Sequence, residues 1–288
     1  MKENTKKIIE LAVVFILTIA LMLGIANLLS LLGENTSSNL LLFISEGTII
    51  VPAVIYVIIK KINVKEVFKF RKIRVSTFFL SILLGFLIMP IGSFVNVLTQ
   101  FFVPNTMVQA STTLMEGSKL VMLLITGFFA PFVEEFVFRG LFHREFEKIT
   151  TPVLSIIVSA VLFGVMHLNL NQMCYAIVLG LFFAYANNCS RSIYSSVIMH
   201  TVLNTINVIM LILASLAMEL AGGDLAESTE QLRGNTGSIA IIAGVYFVLG
   251  AIAFALTIPC FKAIKKIEAE KVEAEDVPTS EVVTGTED

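Results

Sequence analysis

The sequence predicts an all-α fold, a polytopic bundle of about eight transmembrane helices with both termini in the cytosol. Three observations predict it. The chain is 56% hydrophobic and only 15% charged, with a mean hydropathy of +0.88, which places it among integral membrane proteins. Its apolar residues fall into eight segments at or near the roughly 20 residues a span requires. Its basic residues fall almost entirely into alternate connections between those segments.

The first segment, Leu11–Leu32, follows Lys2, Lys6 and Lys7. Those lysines resemble the charged region of a signal peptide. The run of 22 residues is too long for a signal peptide's apolar region, however, and no small-residue cleavage site follows it. It reads as a retained first span. Leu40–Ile59, Thr77–Phe101 and Leu120–Phe142 are the second to fourth spans. Pro152–Leu168 and Met173–Asn187 are short for the fifth and sixth, so seven spans with one re-entrant segment is the alternative count. Ile193–Met218 and Ile239–Phe261 complete the set.

With a cytosolic N-terminus, 17 of the 20 basic residues lie on the cytosolic side. Only Lys119 and Arg233 fall outside, and Arg139 lies within a span. The outer loops are then 33–39, 102–119, 169–172 and the acidic 219–237. The basic 60–75 loop sets topology; its other reading is an interfacial helix on anionic lipid. A single transmembrane domain covers 1–267. Residues 268–288 carry eight acids and one lysine and read as a disordered cytosolic tail. Cys174, Cys189 and Cys260 are scattered, with no C-x-x-C, and suggest neither a disulfide framework nor a cysteine zinc site. A net charge of −2 gives no sign of a nucleic-acid partner.

Three polar stations interrupt this apolar chain. An ionisable group within the hydrocarbon costs roughly 2.5–3.5 kcal/mol, so several of them together argue for one interior site. The first is Pro131-Phe-Val-Glu134-Glu135-Phe-Val-Phe-Arg139-Gly. On a helix Glu135 and Arg139 are i,i+4 and share a face. Glu134 points about 100° away and is free to act. A clamp that only locks helices together is the alternative for Glu135 and Arg139. The second station is His167, one turn after Phe163. The third is His200 with Asn204, again i,i+4, whose alternative role is hydrogen bonding between helices. If spans four and five turn at Thr150-Thr151, Glu134 lies 16 residues before the turn and His167 lies 16 after it. The two then sit at matching height. His200 comes only nine residues after Arg191, which suggests a shallower position unless the other two helices extend further.

A carboxylate, imidazoles and an amide are the parts of a hydrolase. H-E-x-x-H, G-x-S-x-G and paired intramembrane aspartates are absent, so any chemistry uses Glu, His and Asn. Weaker candidates are Glu46, read as snorkelling or helix-paired, His143, read as solvated, and Asn207, which would extend the polar face of Asn204.

The three stations together resemble the CPBP family, the CAAX proteases and bacteriocin-processing or immunity proteins, which includes the type II CAAX prenyl endopeptidases. That family's motifs are E-E-x-x-x-R, F-x-x-x-H and H-x-x-x-N/D. Here they stand as Glu134-Glu135-x-x-x-Arg139, Phe163-x-x-x-His167 and His200-x-x-x-Asn204. The quoted motifs lie within 131–205, inside a core of about 120–210. The resemblance implies a membrane endopeptidase. Glu134 and His167 would activate water, His200 and Asn204 would stabilise the oxyanion, and Glu135 with Arg139 would support the site. It leaves the cofactor open: none is required by a glutamate mechanism, yet Glu134, His167 and His200 are also a zinc donor set. The partners implied are the bilayer and a peptide or protein substrate. Compact size and short loops point to a bacterial cell membrane. A non-catalytic immunity or scaffold protein and a small proton-relay transporter are the alternatives in other classes.

Overall fold

A computed structural model describes residues 2–31, 38–64, 68–103 and 117–276. All regular structure among them is helical. Helices α1 (Lys2–Leu31), α2 (Ser38–Ile59) and α3 (Val75–Thr99) lead to a long α4 (Lys119–Glu147). Then come α5 (Pro152–Met166), α6 (Leu170–Ser190), α7 (Ile193–Leu220), α8 (Leu225–Gly234) and α9 (Thr236–Asp276).

Seven of these helices are long and apolar enough to cross a membrane. The sixth expected span reaches that length because α6 begins at Leu170 and ends at Ser190. The fifth does not. At 1.5 Å per residue, the 15 residues of α5 cover roughly 22 Å, short of the roughly 30 Å hydrocarbon core. The bundle is therefore seven long helices and one short apolar helix.

Local sequence sets the ends around the short helix. Thr151 accepts the amide of Leu154 at 3.2 Å, with Pro152 at the first helical position. Asn169 caps α6 by accepting from Gln172 N at 2.9 Å. Arg191 ends α6 in the left-handed conformation (φ 54°), and Ser192 starts α7. The Ser192 hydroxyl also donates to the Arg71 carbonyl at 2.6 Å, which ties this corner to the loop before α3.

Half of the apolar window of α4 and of α6 is buried, against 17% for α1, so α4 and α6 form the centre of the bundle. Helix α9 packs along α3, α6 against α5 and α3, and α1 against α2. Large side chains such as Ile16, Phe79, Ile241 and Phe247 cover the outer surface, as expected of helices solvated by lipid.

Charge gathers at the far end of α4. Glu145 pairs with Lys7 of α1 and with Lys148. Arg144 pairs with Glu147 at 2.8 Å, and Lys69 lies 3.6 Å from Glu147. Burial, with the Arg144 charge beside it, pushes the Lys69 ammonium below its ordinary pKa. His143, expected to be solvated, is fully buried in this region and lies 3.1 Å from Asn188 Oδ1. Close packing of α4 against α5 and α6 removes it from water.

The described part of the basic loop packs onto the bundle, and Phe68 N donates to the Val64 carbonyl at 3.0 Å. Phe68 from this loop is wholly buried and stacks on Phe136, with ring centroids 4.1 Å apart. Its ring fills the space left by Gly140, where a Cβ would lie 2.1 Å from Phe68 Cδ1. At the other end of the chain, α9 runs on through residue 268, where the sequence reading starts the acidic tail. Glu268 accepts from Arg74 N at 2.8 Å and from Thr77 Oγ1 at 2.6 Å. It thus caps the start of α3 from a distance, and the capped contact holds the helix in register beyond its apolar segment. Residues 277–288 of that tail lie outside the described residues, as do most of the expected outer loops 33–39 and 102–119.

Candidate active site

Helix α4 is not uniform. Two π-helical stretches, Ile125–Phe129 and Phe136–Phe142, bracket a single α-helical turn and a half, Ala130–Glu135. In a π turn the backbone bond reaches i+5, which widens the helix and shifts the register of the residues beyond it. Such turns are frequent at functional sites. The segment between them carries both glutamates, and Pro131 near its start has no N–H to give.

The pair is divided as the 100° step predicts. Glu135 turns inward and is fully buried. Its Oε1 lies 3.1 Å from Arg139 Nη1 and 3.0 Å from His200 Nδ1. The arginine contact is an ion pair without a well-aligned hydrogen bond, since Nη1 and Nε have no hydrogen-bond partner. Arg139 is itself fully buried and donates from Nη2 to the Gly180 carbonyl at 3.1 Å. Its guanidinium lies over Phe163 at 4.4 Å and Phe183 at 5.3 Å. A Cβ at residue 180 would stand 3.0 Å from Nη2, so glycine there leaves room for the arginine.

Glu134 has a different neighbourhood. Its carboxyl oxygens lie 3.9 Å from His167 Nε2 and 3.4 Å from His200 Nε2. Each imidazole is oriented from behind. His167 Nδ1 donates to the Phe163 carbonyl at 2.8 Å, a bond whose direction is fixed because a carbonyl only accepts. His200 Nδ1 faces Glu135. Both Nε2 atoms therefore turn to Glu134. Phe183 stacks on His200 at 4.6 Å, and Phe163 meets both imidazoles edge-on at 5.0 and 5.6 Å. Phe163 thus has a structural reason at its motif position: it touches Arg139, His167 and His200 together.

Asn204 holds the first π turn. Its Nδ2 donates to the Thr126 carbonyl at 3.1 Å, and the next residue, Thr205, donates to the Gly127 carbonyl at 3.3 Å. One of its two amide hydrogens is thereby committed, and the other remains for a ligand. Asn207, by contrast, is exposed and does not extend this face.

The three stations thus meet in one place, and the height of His200 is accounted for. Helix α7 starts only seven residues before His200, whereas α4 continues thirteen residues beyond Glu134. The ends of α4 and α5 project past the start of α7 by roughly 9 Å. As for zinc, among the described residues no three His, Cys, Asp or Glu side chains converge closely enough to hold a metal ion. Glu134, His167 and His200 form no such group as they stand.

One participant escaped the sequence reading. Glu46 of α2 neither snorkels nor pairs with a neighbour; its Oε2 is buried without a hydrogen-bond partner. Helix α2 packs against the Ala130–Glu135 segment that carries Glu134. Phe43 stacks on Phe129 at 4.7 Å, and a Cβ at Gly47 would lie 3.7 Å from the same ring. Phe43, Glu46 and Gly47 stand at i, i+3 and i+4, a spacing that identifies the inward face once the partner helix is known.

Residues 116–206 match the model of the type II CAAX prenyl endopeptidase Rce1-like family. The matched segment holds all three stations. The chain is also similar to a protein of Bacillus subtilis (strain 168) named "Putative membrane peptidase YdiL", with 26% identity over 90 residues. That match covers 31% of this chain and 37% of the relative, so it spans little more than a third of the relative's length. No solved structure matches the chain.

Proposed function

We propose that this protein is an intramembrane endopeptidase that hydrolyses a peptide bond near the cytosolic face of a bacterial cell membrane. The observation that carries the reading is the division of labour within Glu134-Glu135. Glu135 is held by Arg139 and His200, while Glu134 has two imidazole Nε2 atoms within 3.9 Å and no cation of its own.

A water placed between Glu134 and His167 meets a base and an acceptor. Glu134 takes its proton as the oxygen attacks the scissile carbonyl. The tetrahedral oxyanion requires donors, and the uncommitted N–H of Asn204 is one. His200 becomes the second when its Nε2 carries a proton, with Glu135 stabilising that state through Nδ1. Arg139 positions Glu135, and the Gly180 carbonyl and the rings of Phe163 and Phe183 position Arg139. The substrate is a peptide or protein segment that reaches the site from the membrane.

The test is cleavage of a quenched-fluorescent peptide library by purified protein in detergent, comparing wild type with Glu134→Ala and His167→Ala, each with and without chelator. Cleavage by wild type that is lost in both variants and unaffected by chelator is the expected result. Loss on chelation would replace the glutamate mechanism with a metal-dependent one. Activity surviving both substitutions would place the site elsewhere.

A further inference from the structure

Hydrolysis by Glu134, His167, His200 and Asn204 gives no role to Glu46, which stands on the helix packed against the Ala130–Glu135 segment. Helix α2 brings it there. Phe43 and Gly47 both touch Phe129, the last residue of the first π turn. Glu46, on the same face, therefore looks toward the α4 segment that carries Glu134. Its Oε2 is buried and unbonded, and it forms no ion pair among the described residues. Helix α2 contains no lysine or arginine. The nearby guanidinium of Arg139 is committed to Glu135 and Gly180. Two carboxyl groups that share a water-poor site with no cation between them hold one proton in common, as in paired-carboxylate hydrolases. One is then a base and the other an acid.

We propose that Glu46 is the acid of this site, supplying the proton that the leaving amine takes, while Glu134 takes the proton of the attacking water. The proposal rests on the hydrolytic reading of the site. The step balances. Water gives its oxygen to the carbonyl carbon and one proton to Glu134. The C–N bond breaks, and its electron pair stays on nitrogen, which takes the proton of Glu46. The product amine and acid leave, and the proton on Glu134 passes to Glu46 to restore the starting state. No other reactant is needed.

The experiment compares two substrates with the same acyl sequence, a peptide amide and an activated aryl ester. A phenolate departs without protonation, whereas an amine does not. Glu46→Gln keeps the shape and polarity of the side chain. It should lower kcat on the amide about 100-fold, a typical loss for a general acid, and change kcat on the ester less than about threefold. Glu46→Asp should recover part of the amide rate. Glu134→Gln should lose both substrates. A melting temperature matching wild type excludes unfolding as the cause. Equal losses on amide and ester, or wild-type amide hydrolysis by Glu46→Gln, would overturn the role of Glu46 and leave the hydrolytic reading standing. A wild type that cleaves neither substrate would overturn both.

Discussion

Replacing Arg139 with methionine tests the central electrostatic argument. The guanidinium is wholly buried, 3.1 Å from Glu135 Oε1 and 3.1 Å from the Gly180 carbonyl. Methionine keeps much of the volume and removes the charge. Glu135 is then left buried with no cation, and breaking a buried pair from one side typically costs about 3–5 kcal/mol. At a few degrees per kcal/mol, the melting temperature should fall by on the order of 10 °C. Glu135→Gln alone should cost a similar amount, because it strands the arginine. The double variant Glu135→Gln/Arg139→Met strands neither and should be at least about 2 kcal/mol more stable than the sum of the singles. The chain has no tryptophan, so a thiol-reactive fluorophore is the better reporter of unfolding. Cys189 and Cys260 are buried and free, and they label only as the bundle opens. Single variants that melt like wild type, or a double variant that equals the sum within about 0.5 kcal/mol, would refute the claim that these charges compensate each other.

Gly140→Ala drives a methyl into the Phe68 ring and should destabilise by about 1–3 kcal/mol, as overpacking does; Phe68→Ala in the same chain should recover part of that loss in the thiol assay. Glu268→Ala leaves Arg74 N and the Thr77 hydroxyl without their acceptor. It should speed proteolytic clipping of the end of α9 while leaving the melting temperature of the remaining bundle nearly unchanged. Glu134→Gln should abolish peptide cleavage, by at least about 100-fold, with no loss of thermal stability. Lys69 binds its proton less tightly folded than unfolded, so the unfolded chain holds more protons at alkaline pH. Stability should therefore rise with pH between the lowered folded value and 10.5. Lys69→Met should remove that rise in melting curves taken across the same range.

Much of this was legible in the sequence for identifiable reasons. Apolar length gave the spans, and helical spacing gave the Glu135–Arg139 pair. Counting from Thr150-Thr151 put Glu134 and His167 at one height, and they lie 3.9 Å apart. The illegible remainder depends on partners distant in the chain. The π turns have no composition of their own, and in the first of them the Thr126 and Gly127 carbonyls are engaged by Asn204 and Thr205, 78 residues away. Glu46 looks like any polar residue near a helix end until Phe129 defines its face. His143 is flanked by Arg144 and reads as hydrated, but Asn188 and Ser159 enclose it. The continuation of α9 rests on the contacts of Glu268 and of Lys271, which donates to the Lys72 carbonyl at 2.6 Å.

The shortness of α5 has a consequence for the backbone at its end. A helix of roughly 22 Å that ends at His167 stops partway through the hydrocarbon layer, and its last carbonyls have no further turn to bond. Backbone of that kind is tolerated at such depth only where protein encloses it or water reaches it. The next residues are Leu168 in a left-handed conformation (φ 52°), then Asn169, Asn171 and Gln172. Asn169 caps α6, and Asn171 is fully buried and donates to the Asn96 carbonyl at 3.0 Å and to Thr99 Oγ1 at 2.6 Å. The end of the short helix is thus enclosed by protein, fastened to α3 from within the bundle.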